Sequence, residues 1–241
     1  MKKTNFALTA SILCAAFNAN ALGVDSLIKV MDSKRDVINV SNSDGFRQFV
    51  NMEISDVSVV NGNLINTPYT KENISSWTLE LRPNKMILDN GQTKKVSLRY
   101  TGEEIRERDK VYSLSITPTP YYSEGDALPN TVQMVVGFAP YVIVPATIDS
   151  PLAYKIEYKE DHVLIHNTGN TYFRAFLKVC DSTSLKVPAS QCAADAYVLS
   201  GRKMQIKLPD RVKDNANITL RTNNSQYKDS FSIKAGQVRT R

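Results

Sequence analysis

The sequence predicts an all-β protein. After Leu22 no window sustains an apolar period of 3.6, and short alternating runs bounded by Asn, Asp, Gly and Pro recur at roughly ten-residue intervals. One stretch, Thr131-Val-Gln-Met-Val-Val-Gly-Phe138, organises the rest. Side chains alternate along a strand, so Val132, Met134, Val136 and Phe138 share one face. Such an apolar row either faces its own core or is lent to another protein's sheet, and the residues alone leave both readings open.

Taken in order, Met1-Lys-Lys-Thr, the apolar run from Phe6 to Phe17 and the small-x-small Ala19-Asn20-Ala21 make residues 1–21 a signal peptide. The mature chain is expected to start at Leu22, in a periplasm or outside the cell. Leu27–Met31 and Val37–Val40 read as strands, the latter followed by the turn Ser41–Gly45. Phe46–Val57 is a third strand, bulged where its alternation slips. After a loop rich in Asn, Pro and Thr come the strand Trp77–Leu81, the segment Arg82–Leu88 leading into the turn Asp89-Asn-Gly-Gln92, and the strand Lys95–Tyr100. A charged segment, 101–110, precedes Val111–Ile116, which Pro118 and Pro120 are expected to end. Strands of this number and size predict an immunoglobulin-like sandwich over residues 22–146. Pro145–Pro151 reads as a stiff linker, and residues 147–241 as a second, smaller β-sandwich. Its strands are Tyr154–Tyr158, His162–His166, Tyr172–Val179, Tyr197–Leu199, Met204–Leu208, Ile218–Leu220 and Phe231–Ile233.

Composition narrows the function. The formal charge of +6 falls to +4 without Lys2 and Lys3, and cations are interspersed with acids, so no nucleic-acid footprint is indicated. No run after the signal approaches the ~20 apolar residues of a membrane helix, so the mature chain is not expected to be membrane-embedded. Once Cys14 leaves, Cys180 and Cys192 are expected to form a disulfide in an oxidising compartment. His162 and His166 sit four apart on one strand face without a third ligand, so no metal or cofactor is expected. Glu103, Glu104, Glu107 and Asp109 read as a salt-linked turn, and no nucleophile elbow or phosphate loop is present. The chain is not expected to be an enzyme.

Val37-Ile-Asn-Val-Ser-Asn42, the 77–100 section with its Arg-Pro and Asp-Asn-Gly, and Glu107-Arg108-Asp109 before an apolar strand are similar to the periplasmic chaperones of the chaperone-usher pathway. The resemblance covers nearly all of the mature chain. It implies a periplasmic chaperone that inserts Val132, Met134, Val136 and Phe138 into incomplete fimbrial subunits and delivers them to an outer-membrane usher. Arg108 would then be structural, bridging Glu107 and Asp109 or the two domains. Ser115 replaces the family's usual Asn, and Pro140 and Tyr141 occupy the places of its usual carboxylate-binding Lys. With the Asn167–Asn170 turn and the cysteine pair, these departures look like the alternate branch that serves colonisation-factor and common-pilus fimbriae. Lys29 or Arg47 is then the candidate anchor for the subunit's C-terminal carboxylate. Self-association to cover the apolar strand is a further expectation. The rival reading is a secreted two-domain structural protein, adhesin or pilin.

Overall fold

The computed structural model describes residues 22–122, 125, 136–148, 150–159, 161–179, 192–208, 215–222 and 226–241. Its first strands are β1 (Leu22–Val24), β2 (Ile28–Val30), β3 (Arg35–Asn42), β4 (Gln48–Val60), β5 (Asn63–Pro68), β6 (Leu79–Arg82), β7 (Lys85–Leu88), β8 (Thr93–Tyr100), β9 (Lys110–Pro120) and β10 (Tyr141–Val144). Then follow β11 (Tyr154–Tyr158), β12 (His162–Asn167), β13 (Phe173–Lys178), β14 (Ala193–Val198), β15 (Lys203–Lys207), β16 (Asn215–Arg221), β17 (Lys228–Lys234) and β18 (Val238–Thr240). A 3-10 helix, Lys71–Ser76, precedes β6, and among the described residues no helix is long and apolar enough to cross a membrane.

The chain forms two immunoglobulin-like sandwiches in tandem. In the first, the sheet β1-β3-β8-β6 packs on β2-β10-β9-β4-β5, with β7 also paired to β4. The chain changes sheets between Val24 and Ile28, where β2 lies parallel to β10. Alternation then sorts the side chains: Ile38, Val40, Val96 and Leu98 meet Val50, Leu114, Ile116 and Val142, each at most 1% exposed. Burying one such side chain contributes about 1.5–3 kcal/mol. In the second sandwich β15-β12-β11-β18 packs on β14-β13-β16-β17, around Tyr154, Ile156, Phe173, Leu177 and Ile218.

Several expectations change. The slip in β4 is not a bulge, because β4 and β9 pair without a break from Gln48↔Pro120 to Val57↔Val111. Met52 and Ile54 pack on the first core, whereas Val57 is buried on the opposite face against the second domain. The strand changes burial partner and keeps its register. Pro118 does not end β9, which runs four residues past Ile116 and stops at Pro120. Leu114 and Ile116 direct their N–H groups away from β4, to the carbonyls of Pro140 and Phe138. By alternation Pro118 and Pro120 face the same side, so the β4 ladder loses no donor. Residues 63–68 form a strand where a loop was expected. Asn61 (φ 53°) and Gly62 (φ 85°) both take left-handed conformations and make the two-residue hairpin between β4 and β5.

One device recurs in both sandwiches. Asn42 ends β3 and Asn167 ends β12, and each is fully buried. The Asn42 amide donates to the carbonyls of Phe46 (2.8 Å) and Leu88 (3.0 Å), while its Oδ1 accepts from Asp44 N–H (3.0 Å). The Asn167 amide donates to Thr171 (2.9 Å) and Val198 (2.8 Å), while its Oδ1 accepts from Gly169 N–H (2.9 Å). In both cases one side chain ties the following turn to a carbonyl distant in sequence.

On the outer face of β12, His166 stands directly opposite Lys155 and Lys203. Partial burial and then these two ammonium groups hold its pKa below the ordinary imidazole value. The unfolded chain therefore takes up this proton more readily than the folded one, and stability is expected to fall as pH drops below about 6.5. Urea midpoints measured at about pH 7.5 and pH 5.5 should fall further for the wild type than for His166→Gln. Equal losses would mean that the ring does not sense the lysines. His162 lies about 13 Å along the strand, too far to share an ion with His166, and it pairs with Asp161 instead.

Candidate functional site

The two domains meet along an apolar seam. Val57, Val111 and Ile143 project from the outer face of the β2-β10-β9-β4-β5 sheet onto Tyr172 and Leu199, which flank β13 and β14. Ile28, Val30 and Tyr197 pack beside them, and the rings of Tyr172 and Tyr197 stack at 5.9 Å. Tyr197 shares the outer face of its own sheet with Arg174 opposite it, so the outer faces of the two sheets are joined at this strip. Away from it the first domain's face turns polar and open: Ser115, Thr117 and Thr119 on β9 and Glu53 on β4 are exposed.

The 131–138 stretch reaches this sheet at its C-terminal end. Phe138 exchanges both main-chain hydrogen bonds with Ile116, at 2.8 and 3.0 Å. A Cβ at Gly137 would stand 2.9 Å from the Ile116 carbonyl oxygen, so glycine permits this close approach. The Phe138 ring packs on its own domain's core, which corrects its assignment to a face presented to a partner. Val136 is 56% exposed. Val132 and Met134 lie outside the described residues.

Neither candidate anchor stands at the seam. Lys29 is opposite Val142, whose side chain is in the first core, and its ammonium pairs with Asp36 at 2.8 Å. Arg47 precedes β4 at the end remote from Val57, roughly 30 Å of strand away, where Asp89 holds it at 2.5 Å. A carboxylate bound between the domains would meet neither of them, and the sequence could not show this, because strand position alone does not tell which end meets the second domain.

At the junction the structure brings together Arg108 and Asp109. Asp109 Oδ1 accepts from Ala146 N–H (2.7 Å) and Oδ2 from Tyr172 N–H (2.6 Å), so one carboxylate clamps the linker to the second domain. Burial raises its pKa above the usual carboxylate value, against the opposing pull of those N–H groups. Arg108 donates to Ser200 Oγ at 2.9 Å and forms no pair with either acid, and Glu107 contributes its main-chain carbonyl, to the Asn170 amide at 3.0 Å. Arg106 and Asn170 were not singled out from sequence. Arg106 donates to the Pro145 carbonyl (3.0 Å) and lies over the Tyr100 ring at 5.0 Å, and Asn170 also donates to the Ile148 carbonyl (2.8 Å). Their value as linker clasps depends on contacts far apart in sequence. Beside the seam a cleft of about 680 Å³ opens between β4, the 103–111 segment and the 199–201 turn. Burial raises the pKa of Asp56 in this cleft, with Lys110 opposing the shift. Among the described residues no three His, Cys, Asp or Glu side chains cluster as metal ligands. Cys192 is disulfide-bonded, and Cys180 lies outside the described residues.

Known proteins share this architecture. The crystal structure of the class 5 fimbriae chaperone CfaA superposes with a TM-score of 0.54 at 13% identity, over 90% of this chain and 99% of that one. The CsuC–CsuE chaperone-tip adhesion subunit complex of Acinetobacter baumannii gives a TM-score of 0.55 at 10% identity, over 90% of this chain and 100% of the matched one. At such identities the likeness concerns the fold. An Escherichia coli relative, described as an uncharacterized 25.9 kDa protein in the CS5 3′ region, is 22% identical over 233 residues, which is 95% of this chain and 94% of that protein. The family model described as the CS5 fimbrial protein N-terminal domain matches residues 24–145, more than half of the 241 residues, and the chain belongs to that family.

Proposed function

We propose that the chain is a periplasmic chaperone that binds fimbrial subunits by lending them the stretch that carries Val132, Met134 and Val136 as a strand, and passes them to an outer-membrane usher without catalysis or cofactor. The proline pair at the end of β9 carries this reading. Continued in the Ile116↔Phe138 register, the ladder would set Val136 opposite Pro118, and Pro120 lies two residues further along the same edge of β9. Both prolines lack the N–H that those positions would donate. A sheet edge without those donors favours sharing the apolar stretch with a subunit that lacks a strand. The exposure of Val136, the export signal at residues 1–21, and fold relatives that are themselves described as fimbrial chaperones support the same reading.

Co-expression with fimbrial subunits, followed by purification through the chaperone, tests it. Wild type should retain a subunit, while Met134→Asp should lose about tenfold or more of that capture and keep its circular dichroism and melting temperature. A Met134→Asp protein that unfolds would place the strand in the domain's own core and favour a two-domain structural protein or pilin.

A further inference from the structure

A row of cations crosses the outer face of the β14-β13-β16-β17 sheet. Tyr197, Arg174, Arg221 and Lys228 stand directly opposite one another on successive strands. Like charges at directly opposed positions destabilise a sheet, so three in succession call for an anion. Arg174 has one within the chain: its Nε lies 2.8 Å from both oxygens of Asp195, the only acid at the outward positions of these strands. Among the described residues Arg221 and Lys228 pair with no carboxylate. Beside them Phe176, 44% exposed, and Thr219 line a pocket of about 230 Å³ with Arg174 and Arg221. The row begins at Tyr197, in the seam, so it adjoins the face on which a subunit bound to the first domain would lie.

We infer that this row docks an acidic polypeptide segment of the client, with carboxylates on Arg221 and Lys228 and an apolar side chain against Phe176. The identity of the client rests on the chaperone reading, whereas the chemistry of the row does not. Neighbouring strands are about 4.8 Å apart and alternate residues of an extended peptide about 6.6 Å, a difference that the long arms of Arg221 and Lys228 take up. An anionic membrane fits less well. Among the described residues Phe176 is the one large apolar side chain exposed on this face, and interfacial binding needs several.

Fluorescence anisotropy of the full chain tests the inference, with a labelled peptide that alternates Glu and Gly around one Phe. Its Gln counterpart and vesicles of phosphatidylglycerol serve as the other arms. The acidic peptide should bind and the Gln peptide should not. Arg221→Glu with Lys228→Glu should weaken binding by about tenfold or more at unchanged melting temperature, and Phe176→Ala by a few-fold. Absence of binding, equal binding of the Gln peptide, full binding by the double variant, or binding to vesicles alone would each overturn it. The titration contains no subunit, so its outcome is independent of whether Met134→Asp abolishes capture.

Discussion

Asp109→Ala is expected to unfasten the two domains. The substitution removes the acceptor of both the Ala146 and Tyr172 N–H groups, and leaves the Asp109 main-chain N–H, which donates to the Asn170 carbonyl at 3.1 Å, to hold that side of the junction with the Arg108–Ser200 and Asn170–Glu107 bonds. Two N–H groups without partners cost about 1–3 kcal/mol each when fully buried, and these are part-buried, so a loss in the lower part of roughly 2–6 kcal/mol is expected. In calorimetry this should lower the first transition by about 10 °C or more. The 145–151 linker should also become open to protease. Asp109→Asn discriminates the cause. The two N–H groups contact different oxygens, so an amide can accept only one of them and turns its own N–H₂ toward the other. It should therefore fall between wild type and alanine. If both variants melt as the wild type does, the apolar seam holds the domains without the clamp.

Strand identity was readable wherever burial is one-sided. The runs around Val37–Val40 and Lys95–Tyr100 alternate cleanly because one face meets the core and the other meets water. The Asp89–Gln92 turn was readable because Gly91, at φ 76°, takes a conformation few other residues adopt. The Asn61-Gly62 dipeptide carried an equally strong hairpin signal that was passed over. Sequence fails where a strand has two burial partners: Val57 breaks the alternation of β4 because the second domain covers its outer face. It fails again for polar residues whose partners are remote. Arg108 was read as bridging Glu107 and Asp109 or the two domains, and its bond to Ser200 is of the second kind, while Lys29 was read as a carboxylate anchor although Asp36 already pairs with it. Pro118 and Pro120 were read as strand terminators because the side their nitrogens face cannot be told without the register.

Asn167→Ala is expected to be the more damaging of the two asparagine truncations. In either domain the change deletes three side-chain hydrogen bonds, two from the amide and one to its oxygen, at a cost of about 2–4 kcal/mol. For a domain of this size that corresponds to a melting temperature lower by about 10–20 °C. Asn42 fastens a turn at the first domain's own edge, so its loss should stay within that domain. The 168–171 turn that Asn167 fastens also presents Gly169, whose carbonyl accepts from Ser200 Oγ (2.7 Å), and Asn170, whose amide reaches Glu107 and Ile148. Loosening it should therefore weaken the second core and the junction together, so Asn167→Ala should expose the 145–151 linker and Asn42→Ala should not. Asn167→Asp sharpens the test, because it keeps the shape, loses the donor and sets a carboxylate against the carbonyls of Thr171 and Val198. At neutral pH it should be at least as unstable as the alanine variant. An Asn167→Asp protein as stable as wild type would show that the carbonyl bridge is not what holds this turn.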